Sequence, residues 1–118
     1  MISTLAFCLL GFTMIGDAVN TGDGLRFVDS GQTLGDGMSF SVALGDLDGD
    51  GDLDAWVANV GGSDTVWLND GTGTFTDSEL KLGTGASVSV ALGDLDGDGD
   101  IDAWVANLGE PNTVWIND

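Results

Sequence analysis

Histidine is absent, cysteine occurs once, at Cys8, and two basic side chains, Arg26 and Lys81, face 20 acidic ones. Without His and with a lone Cys, the chain has no zinc ligand set, no Cys–His or Ser–His–Asp catalytic group and no internal disulfide framework. A formal net charge of −18 leaves nothing to neutralise a phosphate backbone or to hold an anionic membrane surface. Nucleic acid and acidic lipid are therefore excluded as partners. Proline is also scarce, with Pro111 alone, whereas glycine occurs 20 times. That balance favours many tight turns between short strands.

What is present argues against disorder. The chain is 42% hydrophobic with four Trp, and 118 residues give room for one domain with a modest core. The acid is concentrated: Asp46–Asp54 and Asp94–Asp102 each hold five aspartates, half of all the acidic residues. Charge gathered in this way points to cations rather than to general solvation.

The N-terminus reads as a targeting segment. Leu5–Ile15 is an apolar run of eleven residues, too short to span a bilayer as a helix. Gly16-Asp17-Ala18 follows with small residues at the two positions a signal peptidase reads, so cleavage is expected after Ala18. The segment preceding the apolar run has no Lys or Arg. Residues 1–18 are thus read as a signal peptide, leaving a mature chain without cysteine or membrane span; the alternative is a buried β-strand.

The remainder is a repeat with a period of 48. Ser41–Asn59 returns as Ser89–Asn107 with one change, Leu53 to Ile101. Thr65–Asp70 returns as Thr113–Asp118 with Leu68 replaced by Ile116. Phe27, Asp29, Ser30, Leu34 and Gly35 return as Phe75, Asp77, Ser78, Leu82 and Gly83. Residues 19–118 therefore hold two units, 27–74 and 75–118. Within a unit, strands are expected at Ser41–Gly45, Leu53–Asn59 and Thr65–Asn69, with a fourth from Phe75 towards Leu82. Glycine interrupts every segment, so helix is disfavoured. In Ala55-Trp56-Val57-Ala58 both faces are apolar, which implies cover on both sides. The expected fold is all-β: about two four-stranded antiparallel blades of the β-propeller type, rather than the shorter-period β-solenoid.

Each acidic loop is patterned for a metal. In Asp46-Leu47-Asp48-Gly49-Asp50-Gly51-Asp52-Leu53-Asp54, side chains at positions 1, 3 and 5 of a curled loop converge on one ion. Gly at position 6 permits the turn that brings round the backbone carbonyl of position 7. Without a cation the loop is unfavourable, since two carboxylates about 5 Å apart repel by roughly 3 kcal/mol at an effective dielectric near 20. All-oxygen ligands on a flexible loop favour Ca²⁺. The bland alternative is an acidic surface turn with no ion. A helix–loop–helix hand requires Glu at position 12, where Val57 and Val105 stand, and both it and the dockerin loop lead into helices.

The stretch Phe40–Asn59 resembles the FG-GAP or VCBS repeat, the blade of integrin α-subunit propellers and of many secreted bacterial proteins. The likeness covers about residues 27–118. It implies calcium in the hairpin loop between two blade strands, held by Asp46, Asp48, Asp50, Asp54 and the carbonyl of Asp52. In the second copy it implies Asp94, Asp96, Asp98, Asp102 and the carbonyl of Asp100. The family's Gly-Ala-Pro ending is replaced by Ala-Asn-Val-Gly and Ala-Asn-Leu-Gly, closer to the bacterial branch.

Trp56, Trp67, Trp104 and Trp115 recur with the repeat and read as blade core, with a sugar-stacking platform as the alternative. Asn59, Asn69, Asn107 and Asn117 close strands and are expected to form turns. Glu110 and Pro111 mark a loop where the copies differ. No catalytic set is present. The expected function is a secreted or cell-surface calcium-binding module, structural or adhesive, that engages an extracellular protein or glycan; the alternative is the accessory carbohydrate-recognition part of a larger extracellular enzyme. Two blades fall short of the four to eight of a closed propeller. Further blades are expected from the same parent chain or from self-association.

Overall fold

Short runs rich in Val, Trp and Thr, separated by Gly and Asp, fold as strands because branched and aromatic side chains suit a pleated, covered surface. The computed structural model describes residues 17–18 and 24–118. The apolar leader Leu5–Ile15 lies outside the described residues. The chain divides into two compact units, Met1–Thr33 and Leu34–Asp118. In the first, β1 (Asp17–Ala18) pairs antiparallel with β2 (Phe27–Val28).

The second unit holds two antiparallel sheets. One has β3 (Met38–Gly45), β4 (Asp54–Val60), β5 (Thr65–Asn69) and β6 (Phe75–Asp77) in sequence order. The other has β7 (Ser87–Gly93), β8 (Asp102–Asn107) and β9 (Thr113–Trp115). Among the described residues no helix is present, and the all-β expectation holds. The expected strands appear with three differences, one being that the strand expected from Phe75 towards Leu82 ends at Asp77. The first strand begins earlier, at Met38, across a bulge between Ser39 and Ser41 that recurs between Ser87 and Ser89. The second sheet has three strands rather than four, because the counterpart of Phe75 would fall five positions past Asp118.

The core lies between the two sheets. Trp56, Ala58 and Val66 of the first pack with Val90, Ala103 and Val105 of the second. Burying a Trp side chain contributes on the order of 4–6 kcal/mol before entropy is counted. The indole N–H of Trp56 donates to Asp64 at 3.1 Å, so its one polar atom is satisfied inside the core. Backbone bonds tie the turn after β4 to the connection that leads into the second sheet: Asp64 and Leu82 exchange N–H···O bonds of 2.7 and 3.2 Å, and Gly61 donates to Gly85 at 2.7 Å.

Cover on both faces holds for β4, where Ala55, Trp56 and Ala58 are all buried. It does not hold for β8: Ala103 and Val105 are buried, but Trp104 is 50% exposed. The core reading of the Trp residues is thus met by Trp56 and Trp67, which are buried, and by Trp115, half-buried against the core. Asn59 forms its expected turn, donating from its side chain to the carbonyl of Ser63 at 3.1 Å.

Candidate metal centre

Each acidic loop closes a hairpin, β3 to β4 and β7 to β8, and the register brings its ends together: Gly45 pairs with Asp54, and Gly93 with Asp102. Eight residues must then reverse the chain. Gly49 and Gly51 adopt φ of 79° and 93°, with open space where a Cβ would stand. Glycine is required there for its backbone freedom, not for room.

The first loop is tied internally by its own carboxylates. Asp46 accepts the N–H groups of Gly49 and Gly51 at 2.8 and 3.0 Å. Asp48 accepts from Asp50 at 3.1 Å, and Asp50 from Asp52 at 2.9 Å. These bonds swing Asp46, Asp48 and Asp50 inward until one oxygen of each lies within 4.8 Å of the others. Oxygens on opposite sides of a calcium ion are separated by roughly 5 Å, so the span suits one ion. The second loop repeats the ties, with Asp94 accepting from Gly97 and Gly99 at 2.7 and 3.1 Å. There the converging set is Asp94, Asp96 and Asp102.

Of the ten aspartates singled out by sequence, six thus fall into two oxygen-only trios that could hold a metal ion. Asp54, Asp98, Asp52 and Asp100 stand outside them. The Asp52 carboxylate lies against the turn at Gly71, 2.5 Å from where a Cβ on that glycine would sit. The donor set fits a hard cation, offering carboxylate oxygen and neither nitrogen nor sulfur.

Asp54 has a second occupation that sequence reasoning missed. It is fully buried, and its two oxygens accept the N–H of Leu47 at 2.8 Å and of Asn69 at 2.9 Å. Asp102 does the same with Leu95 at 2.6 Å and Asn117 at 2.8 Å. Each staples its loop to the end of the third strand of its blade. Asp64 was missed altogether. It is 1% exposed and accepts from the Trp56 indole and from the Asn59 N–H at 3.0 Å. A signal existed: position 112 holds Asn, which keeps an acceptor for the N–H of Asn107 at 3.1 Å.

The electrostatics oppose a cation-free loop. Loss of solvent around Asp48, with the charges of Asp50 and Asp54, raises its pKa above the ordinary aspartate value. At Asp96 the Asp98 N–H pulls the pKa down, but desolvation and the charges of Asp98 and Asp102 outweigh it. Asp102 runs the other way, lowered by the N–H groups of Asn117 and Leu95. Asp70, outside the trios, is lowered by the Thr72 hydroxyl and N–H.

A depressed folded-state pKa contributes stability above the unfolded value, about 3.9, and loses it as pH falls through the folded value. Acid unfolding in metal-free buffer should therefore steepen below about pH 4, and Asp70→Asn should flatten that slope. Circular dichroism at fixed urea across pH 2–7 measures it; an Asp70→Asn slope equal to the parent's contradicts the assignment.

Two packed antiparallel sheets, each opening on a hairpin loop lined with converging carboxylates, define a blade-repeat β protein. Residues 46–105, half of the chain, match the FG-GAP-like repeat, and the chain belongs to that family. No curated protein and no solved structure matches.

Proposed function

We propose that the chain is an extracellular, non-enzymatic β-propeller repeat module that binds one Ca²⁺ in each acidic loop and serves a structural or adhesive role, engaging an extracellular protein or glycan. The observation that carries the calcium reading is the convergence of three carboxylate oxygens within 4.8 Å in both loops. With 20 acidic against two basic side chains, the chain cannot supply the counter-charge itself. The apolar leader supports an extracellular setting, as does the family. Extracellular calcium modules commonly bind at about 10⁻⁴–10⁻³ M, so the ion is a standing part of the fold outside a cell. Bound calcium would be held by Asp46, Asp48 and Asp50 in one loop and by Asp94, Asp96 and Asp102 in the other, and would supply the positive charge that the loops lack.

Isothermal calorimetry with calcium should give a stoichiometry of two, one per trio. Asp50→Asn should reduce it to one, leaving the second loop intact. No heat up to about 10 mM calcium would falsify the reading.

A further inference from the structure

The contact between the two sheets uses a different face of each copy. The first sheet contributes Trp56, Ala58 and Val66; the second contributes Val90, Ala103 and Val105. These sets are not related by the 48-residue offset. The counterparts of the first set are Trp104, Ala106 and Val114, on the far side of the second sheet, where Trp104 is 50% and Val114 46% exposed. On the first sheet, Val42 is the counterpart of Val90, and Leu44 that of Leu92, which packs against the core; Val42 is 59% and Leu44 58% exposed. The second sheet therefore leaves open its Trp104 and Val114 face, and the first leaves open Val42 and Leu44 of β3, while Ala55 and Trp67 beside them are covered.

Glycine contacts show the same relation at the level of single atoms. Across the internal contact, a Cβ on Gly45 would meet Leu92 at 3.0 Å and Ile101 at 3.5 Å. The counterpart of Gly45 is Gly93, which has nothing within 4 Å. The counterparts of Leu92 and Ile101 are Leu44 and Leu53, 58% and 57% exposed. Among the described residues a socket and its plug are thus both present and both unfilled, on the outer faces of the two sheets. The segment at Leu34–Gly37 lies against Trp67, so the open part of the first sheet's outer face is β3, at Val42 and Leu44.

We propose that a second copy of this chain docks head to tail. The Trp104 and Val114 face of one copy receives the Val42 and Leu44 face of the next, with Leu44 and Leu53 seated over Gly93. The docking repeats, between chains, the contact already made within one. Because the two faces differ, association is not limited to a pair: each addition leaves one open face at either end, until a ring closes. The net charge of −18 opposes approach, so association is favoured by salt.

Sedimentation velocity of the full chain tests this, in about 0.5 M salt, where the screening length is roughly 4 Å, with excess calcium present. Calcium here only secures the fold, so the result does not depend on the calcium stoichiometry above. The parent chain should show masses above the monomer that rise with concentration between about 10 μM and 1 mM. Trp104→Glu and Leu44→Glu, both at exposed positions, should each remain monomeric. Their equimolar mixture should form a dimer and nothing larger, since one variant keeps the plug and the other the socket. Val114→Glu replaces Trp104→Glu if circular dichroism shows the latter misfolded. A parent chain that stays monomeric throughout, as it would if only further blades of a longer polypeptide fit these faces, overturns the proposal. A mixture that stays monomeric, or either variant still associating alone, does so too.

Discussion

Transfer from about 10 mM calcium into excess EDTA is expected to lower the thermal midpoint by on the order of 20 °C. A ligand at about 100 times its Kd stabilises the folded state by about 2.7 kcal/mol, and a Kd near 10⁻⁴ M puts about 10 mM calcium at that ratio. Two independent loops then contribute about 5 kcal/mol together. For a domain of this size each kcal/mol moves the midpoint by about 4–8 °C. The effect is large because calcium relieves a repulsion as well as adding bonds. Asp46, Asp48 and Asp50 converge in one loop and Asp94, Asp96 and Asp102 in the other, and the chain offers only two basic side chains. Magnesium at equal ionic strength should restore much less, since it demands a smaller and more regular oxygen shell. Differential scanning calorimetry in the three buffers decides the matter. Equal midpoints in calcium and EDTA would show that the loops are acidic turns and nothing more.

Asp54→Ala should cost roughly 2–6 kcal/mol even without calcium, from two buried N–H groups left unpaired at about 1–3 kcal/mol each. The donors are those of Leu47 and Asn69, and Asp54 itself is fully buried. Against a total stability of about 5–15 kcal/mol, that loss is a large share of what holds the chain folded. Asp50→Asn is the informative contrast. Asp50 is exposed and accepts one N–H, from Asp52, so its loss should change the calcium-free stability by less than about 1 kcal/mol while removing about half of the calcium-dependent gain, the share of one loop. Urea unfolding of both variants in calcium and in EDTA separates the two roles. If Asp54→Ala is as stable as Asp50→Asn in EDTA, the staple assigned to Asp54 is wrong.

The period, the hairpins and the acidic loops were all legible, because each rests on local chemistry: turn-forming Gly, branched strand residues, and carboxylates at alternate positions. Burial was legible only in part. Ala-Trp-Val-Ala-Asn occurs twice unchanged, yet Trp56 is 6% exposed and Trp104 50%. Identical residues differ because cover comes from a neighbouring sheet, which no local pattern records. The staples were hidden for a related reason. Asp54 meets Asn69 only once β4 and β5 pair, and Asp64 meets the Trp56 indole only once the turn after β4 folds back. The strand expected to run from Phe75 towards Leu82 shows the same limit: β6 ends at Asp77, and Leu82 leaves it to bridge to Asp64.

Near-identity of the two copies also bears on how the chain finds its structure. β3 and β7 share the run from Ser-Val to Gly, and β4 and β8 share Asp-Ala-Trp-Val-Ala-Asn, so a ladder between β3 and β8 has almost the same side-chain partners as the native one. Such exchanged pairings are the characteristic misassembly of repeat proteins. Short native hairpins have the advantage of speed, since closing an eight-residue loop costs less entropy than spanning a whole repeat. What discriminates afterwards is a handful of unlike positions: Phe40 against Val88, Leu53 against Ile101, Asp64 against Asn112. Only Asp64 among the last pair carries the charge that accepts the Trp56 indole inside the core. A buried carboxylate that adds little to recognition of anything outside the chain thus acts as a proofreading mark, telling one copy of the sequence from the other.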